Sequence, residues 1–440
     1  MPTTFTELRD RLDGSPMSPP QRSAIAVCVL LNVVDGFDIL IMSFTAAAVS
    51  AEWSLSGSQL GLLLSAGLAG MALGSLLLAP LADRVGRRAL ILACLAIAAA
   101  GMLGSALSQD AVQLGLLRVL TGAGIGGVLA GSNVIAAEYA NSRWRGLAVS
   151  MNVTGYAVGA TAGGVVAVAL QNSSGWRSVF LVGGAGTALL IGAVLWRLPE
   201  SLDFLLTRRS PRALERLNEL LTAMGQPTVE SVPGRPGVAA GRAPRLRRIL
   251  APRLRRNTLL TWVGFCTAMS VFYFVSSWTP KLLADTGLSA ARGVTWGVSL
   301  NLGGIFGTML LGLLTVRFAL KRLLAGYTLA TAVLLALLVP ATPAYGPLLA
   351  LGALIGLFIN GCVAGLYALA LSIHPPEVRA TGVGWGVGMG RIGSLVSPLG
   401  AGGLLDAGWA PGQLYLMAAA VFAAGGLAVH AVRLPSRVPR

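Results

Sequence analysis

The chain has 440 residues, 55% of them hydrophobic and only 11% charged, with a mean hydropathy of +0.73. A water-facing globule carries about 25% charged residues, so a soluble fold of this size is excluded. The net charge of +16 is not laid out for nucleic acid: thirteen of the 33 basic residues lie between Arg197 and Arg256, and fifteen more sit in short segments at alternate ends of apolar blocks, the pattern of loops facing an anionic leaflet.

The apolar blocks have the length needed to cross a ~30 Å hydrocarbon layer as helices. They predict spans at 22–50, 57–81, 89–108, 112–140, 146–170 and 177–198, then at 257–280, 292–316, 322–340, 346–374, 380–405 and 412–433. The fold class is therefore an all-α membrane protein of twelve transmembrane helices in two six-helix bundles, 22–198 and 257–433. A tail (1–21) precedes them, a linker (199–256) joins them, and residues 434–440 form a second tail. The first span follows about 20 polar residues and has full helix length, so it reads as retained rather than as a cleaved signal. With both termini cytoplasmic, 28 basic residues fall on one side and only Arg177, Lys281 and Arg292 on the other. The linker holds an amphipathic stretch, Ala213 to Met224, and a Pro/Gly/Arg run through Arg242 that lacks the apolar content to fold alone.

In chain order, the first span carries Asn32-Val-Val-Asp35-Gly36-Phe37-Asp38. Asp35 and Asp38 share a helix face, and Asn32, Met42 and Thr45 extend the stripe. Two carboxylates near mid-membrane are costly and mark a working cavity; exchanging a proton there is what a proton-coupled carrier requires. Between spans 2 and 3 stands Gly74-Ser-Leu-Leu-Leu-Ala-Pro-Leu-Ala-Asp83-Arg84-Val-Gly86-Arg87-Arg88. Gly74 permits close helix contact, Gly86 a tight turn, and Asp83 either caps the next helix or pairs with an arginine across the two halves. In span 4, Arg118 needs a carboxylate partner, and Asp35 or Asp38 is the obvious one. Glu138, Glu200 and Glu377 are expected to form gate salt bridges with loop arginines, among them Arg143, Arg145 and Arg379. Arg391, inside span 11, is suited to hold a carboxylate in bidentate fashion. Phe272, Tyr273 and Trp278 of span 7 and Trp385 of span 11 offer flat apolar walls, and Tyr156 and Tyr367 offer hydroxyls. Trp278, near a helix end, equally suits the interfacial belt.

The halves repeat. Gly122, Gly127 and Gly131 match Gly356, Gly361 and Gly365; Gly74 and Arg84 match Gly307 and Arg317; Arg143 and Gly146 match Arg379 and Gly382. Such duplication is the parallel repeat of a two-bundle transporter. Asp83 and Arg118 have no charged counterparts, their equivalents being Val316 and Gly352. Gly122-Ala-Gly124-Ile-Gly126-Gly127 satisfies a dinucleotide fingerprint but lies in an apolar helix with no strand before it, so it fails its context. The four cysteines each occupy a different block and only two histidines exist, so no metal site or cofactor is expected beyond the proton gradient.

The segment Gly74 to Arg88 resembles the loop 2–3 signature of the major facilitator superfamily. Asp35-Gly-Phe-Asp38, the span 7 run Phe272 to Pro280, and Pro376-Glu377-Val-Arg379-Ala-Thr-Gly382 followed by Arg391-Ile-Gly393 resemble the aromatic acid:proton symporter family within it. That resemblance covers essentially the whole chain. It implies that the loop 2–3 cluster steadies an outward-open state, that Arg118-Val-Leu-Thr-Gly122 takes part in proton coupling, and that Arg391 binds the substrate carboxylate. The implied function is import of aromatic acids of the hydroxybenzoate or benzoate class by proton symport, with no enzymatic activity. The implied setting is a bacterial inner membrane, with lipid and protons as the other partners, no nucleic acid, and a monomer as the working unit. Other small organic acids are an alternative cargo. Export of drugs or metabolites by proton antiport is the alternative mode. Gly146, Gly155, Gly159, Gly163 and Gly164 follow the span 5 spacing of proton-driven exporters, but Ala160 stands where those have proline, so the bend is not encoded.

Overall fold

A computed structural model describes residues 5–208, 211–233, 248–338, 345–375 and 378–433, and no strand occurs among them. The helices are α1 (Phe5–Gly14), α2 (Pro19–Trp53), α3 (Gly57–Leu77), α4 (Ala82–Val85), α5 (Arg87–Ala106), α6 (Ala111–Tyr139), α7 (Arg145–Ser174), α8 (Trp176–Arg197), α9 (Leu202–Thr207) and α10 (Pro211–Ala223). They continue as α11 (Pro252–Asp285), α12 (Ala290–Leu314), α13 (Leu320–Leu337), α14 (Tyr345–Ile373), α15 (Arg379–Asp406) and α16 (Pro411–His430). Eleven are long and apolar enough to cross a membrane. The twelfth long helix, α15, spans 28 residues and is rich in glycine around Arg391. The chain is thus a multi-pass, all-α membrane protein.

Local chemistry sets the ends. Proline opens α2, α10, α11 and α16, where its missing N–H costs nothing. Gly175, Gly225, Gly287 and Gly408, all at positive φ, stand just beyond α7, α10, α11 and α15. Predicted span 2 runs to residue 81, but α3 stops at Leu77 because Pro80 forces a 3₁₀ turn, Ala79–Leu81. Span 7, predicted to end at Pro280, continues through that proline to Asp285. The predicted N-terminal tail contains α1, whose Leu8 and Leu12 are buried beside Leu217, Leu221 and Met224. The amphipathic linker stretch is α10, so α1 and the linker together add a helical layer to the first bundle's core. The Pro/Gly/Arg run from residue 234 through Arg242, and residues 434–440, lie outside the described residues.

The chain divides into two compact units. Unit 1 is Met1–Ile39, Ala69–Gly163 and Arg177–Ala240; unit 2 is Leu40–Leu68, Gly164–Trp176 and Gly241–Arg440. The packing units are therefore not two runs of consecutive helices, because α2, α3 and α7 each give one end to the other unit.

Inside each unit, helices meet through glycine at equivalent places. A Cβ on Gly74 would collide with the Ala123 carbonyl, and one on Gly307 with the Leu357 carbonyl. Likewise Gly159 lies on the Val33 carbonyl and Gly393 on the Cys266 carbonyl. The first pair maps onto the second by the sequence repeat, and Gly159 and Gly393 fall within two residues of it, so the duplication extends to the contacts themselves. Backbones this close are how helices associate in lipid. Gly159→Leu and Gly393→Leu are expected to destabilise by more than the ~1–3 kcal/mol of ordinary overpacking, since backbone must separate. Gly186→Leu, which has open space around it, is expected to be neutral. Thermal midpoints and monodispersity in detergent check this.

Candidate functional site

Asp38 and Arg118 meet in the interior of unit 1. Arg118 Nη1 donates to Asp38 Oδ1 at 2.8 Å and Nη2 donates to the Asp38 carbonyl at 3.0 Å, both side chains being 2% exposed. The guanidinium carbon lies 5.7 Å from the centre of the Phe180 ring on α8. Asp35, also buried, is one turn earlier on α2. Gly36, between the two aspartates, brings the α2 backbone onto Tyr156 of α7, which fixes the helix that carries both carboxylates. Tyr156 itself is half-buried in unit 1.

Asn32 anchors a chain of amides. Its Nδ2 donates to Cys28 O at 3.1 Å and to Asn152 Oδ1 of α7 at 2.9 Å; Asn152 Nδ2 donates to Asn133 Oδ1 of α6 at 2.7 Å. Asn32 and Asn152 are buried, and Asn133 is exposed. The sequence pattern marked Asn32 alone. Asn152 and Asn133 escaped because an amide has no charge to make its burial conspicuous.

In unit 2, Arg391 of α15 is half-buried and acts electrostatically on Tyr367 of α14. Tyr367 packs edge-on against Phe265 of α11 with ring centroids 5.2 Å apart, and Phe265 also meets α15 at Gly386. Trp385 stacks on Trp262 at 5.6 Å and is 42% exposed. Aromatic rings of three helices thus meet in unit 2, and Arg391 is within electrostatic range of one of them, Tyr367. Phe272 and Tyr273 pack edge-on against each other. Trp278 is neither a belt residue nor an open wall: it is 1% exposed, and its Nε1 donates to Pro398 O at 3.1 Å. Its ring is large enough to seat α11 on α15, and the indole N–H then takes a carbonyl of the proline-containing segment.

The predicted gate residues gather at the Arg-rich end of unit 1. Arg87 pairs with Glu138 and donates to Ser201 Oγ at 2.7 Å, while Ser201 Oγ donates to Glu138 at 2.7 Å. Glu200 Oε1 accepts from the Arg88 backbone N–H at 3.0 Å, and the Tyr139 hydroxyl donates to Glu200 O at 2.6 Å. Gly86 (φ 103°) leaves room for the Glu200 carboxylate, which a Cβ would displace. Asp83 is exposed within α4 and does not cap the next helix, whose N-cap is Gly86 with no side-chain bond. The intervening turn of α4 carries its carboxylate away from that position. Arg84 O accepts from Arg208. Arg145 pairs with Asp13, in the last turn of α1, rather than with Glu138 or Glu200. Arg143 stacks on Trp144. Arg379 opens α15 and donates to His374 O at 3.4 Å; Glu377 lies outside the described residues.

At the opposite end, unit 2 holds a seal that the sequence did not announce. Asp406, the last residue of α15, accepts from the Gly57 and Ser58 backbone N–H groups at 2.6 and 2.8 Å. It thereby caps the first turn of α3. Gly57 and Gly61 bring α3 onto the α15 backbone, and Ser65 Oγ donates to Leu395 O at 3.1 Å. Ser43 Oγ of α2 donates to Ser276 O and Ser277 O at 2.6 and 2.9 Å. The span 5 glycines have a packing role: Gly155, Gly159 and Gly163 seat Val29, Val33 and Phe37 of α2.

The profile of the Major Facilitator Superfamily matches residues 28–325. The gallate transporter of Pseudomonas putida is 32% identical over 91% of this chain and 89% of its own length. The 4-hydroxybenzoate transporter PcaK of Acinetobacter baylyi is 30% identical over 95% and 92%. The inward-open xylose transporter XylE of Escherichia coli superposes with a TM-score of 0.71 at 17% identity, covering 95% of this chain and 98% of that one, a likeness of fold alone.

Two outcomes test the geometry. Arg118→Ala, which strands a buried carboxylate, is expected to cost ~3–5 kcal/mol, and combining Arg118→Gln with Asp38→Asn is expected to recover much of it in thermal unfolding. In a cysteine-free background, Asp406→Ala is expected to raise several-fold the rate at which a membrane-impermeant thiol reagent modifies Ser65→Cys; an unchanged rate removes Asp406 from the seal.

Proposed function

The chain belongs to the major facilitator superfamily, and on that premise we propose that it imports an aromatic carboxylate by proton symport through alternating access. The observation that carries this reading is Arg391, half-buried on α15 and within electrostatic range of Tyr367, on a helix that meets aromatic rings of α11. A guanidinium at the end of an apolar, aromatic surface suits a flat anion: the carboxylate takes two parallel N–H bonds and the ring meets aromatic faces and edges. Relatives at about 30% identity that carry gallate and 4-hydroxybenzoate support the same class of cargo.

Coupling is assigned to Asp35 and Asp38 together, the two carboxylates buried one turn apart on α2. Arg118 holds Asp38. A proton arriving at the pair weakens that bond, and the released guanidinium is the element through which protonation biases the helices. The setting is a bacterial inner membrane with the Arg-rich loops and both termini in the cytoplasm, where positive loops are retained. No cofactor besides the proton gradient is invoked.

Cells expressing the chain are expected to accumulate labelled 4-hydroxybenzoate and benzoate, and a protonophore to abolish accumulation. Arg391→Ala is expected to raise KM about ten-fold or more, the worth of a charge-assisted bond pair. Asp38→Asn in proteoliposomes is expected to lose gradient-driven uptake while keeping substrate counterflow. Net expulsion of the acids by intact cells would overturn the import reading.

A further inference from the structure

Unit 1 carries a groove of about 1190 Å³ formed by the turn after α1, the start of α2, the α6–α7 loop and the start of α7. We propose that it is a binding site for an anionic phospholipid. Its lining includes the small side chains Ala26 and Ala148 and the large apolar ones Leu30, Leu147 and Met151. Those three large residues are 46%, 50% and 49% exposed, an apolar surface that water would not leave uncovered.

The groove opens on the side of α2 opposite Asp35. Ala26 lies nine residues before Asp35, about two and a half turns, and so on the opposite side of α2. Leu30 is seven residues before Phe37, on the same face, and Phe37 is turned to Gly163 of α7 and Gly183 of α8. The coupling carboxylates therefore point away from it.

One end is cationic. Arg22 and Arg143 line the groove and are both exposed, within a turn of where α2 and α7 begin. Asp13 does not cancel them, since it is paired with Arg145. Arg143 lies 5.5 Å from the centre of the Trp144 ring, and that indole is 44% exposed at the same level, as tryptophans at a headgroup boundary are. Two arginines over an apolar slot offer charge to a phosphate and cover to acyl chains. Basic pockets between spanning helices select anionic headgroups in this way.

The test uses full-length purified protein, stripped of lipid, and measures lipid retention by native mass spectrometry and thermal midpoint by scanning fluorimetry. Phosphatidylglycerol is expected to remain bound at one copy and to raise the midpoint, and phosphatidylcholine to do neither. Arg143→Ala is expected to weaken phosphatidylglycerol about five-fold, and Arg22→Ala with Arg143→Ala roughly 25-fold. Ala26→Trp, which puts a bulky ring into the groove without touching charge, is expected to abolish retention. Equal retention of the two lipids overturns the proposal, as does retention undiminished in Ala26→Trp. Competition by 4-hydroxybenzoate for the site, or a dimer that Ala26→Trp dissociates, overturns it in favour of a small acid or a second copy.

Discussion

Helices in hydrocarbon gain nothing from hiding apolar side chains from one another, so their association rests on close contact. In this protein the contact is glycine against carbonyl. Val33 with Gly159 and Cys266 with Gly393 occupy equivalent places, as do Ala123 with Gly74 and Leu357 with Gly307. Everything functional is mounted on these contacts. A residue added to either partner would move α2 or α15, and with them the carboxylates or Arg391.

The chemistry appears where the repeat is broken. Arg118 corresponds to Gly352, which packs under the Trp296 ring, and Asp38 corresponds to Val271. Even the α2–α7 contact changes hands: Gly36 on Tyr156 becomes Met269 on Gly390. One unit thus acquired a buried ion pair while the other kept packing. A guanidinium and a carboxylate, each 2% exposed, are held together because separating them inside protein costs more than their contact yields in water. That makes the pair stable at rest, and in the proposed symport it is the pair on which a proton would act.

Much of this was legible beforehand, for physical reasons. Hydropathy located the long helices because lipid imposes a length, and proline and glycine marked many of their ends. Arg118 announced its need for Asp35 or Asp38 because an isolated charge in a membrane has few solutions. What the sequence hid were polar groups whose value comes only from position. Asn152 and Asn133 are unremarkable until Asn32 is seen between helices; Asp13 and Asp406 are ordinary carboxylates until Arg145 and the start of α3 arrive beside them. Trp278 looked like an interface residue because it stands near a predicted helix end, and α11 proved longer, which placed it inside the packing.

Both units use one device. In unit 1, Glu200 accepts from the Arg88 N–H in the first turn of α5; in unit 2, Asp406 accepts from the first two N–H groups of α3. Each carboxylate comes from a distant segment, and each satisfies donors that a helix start leaves open. Such bonds are directional enough to register one helix on another. They also lie where water can replace them, so breaking one exchanges a protein acceptor for a solvent acceptor at small net cost. In the proposed transport cycle, deeply buried charge would answer the proton and exposed helix caps would supply contacts that can be remade. A carrier needs that division: a coupling pair that does not leak, and seals that do not stick.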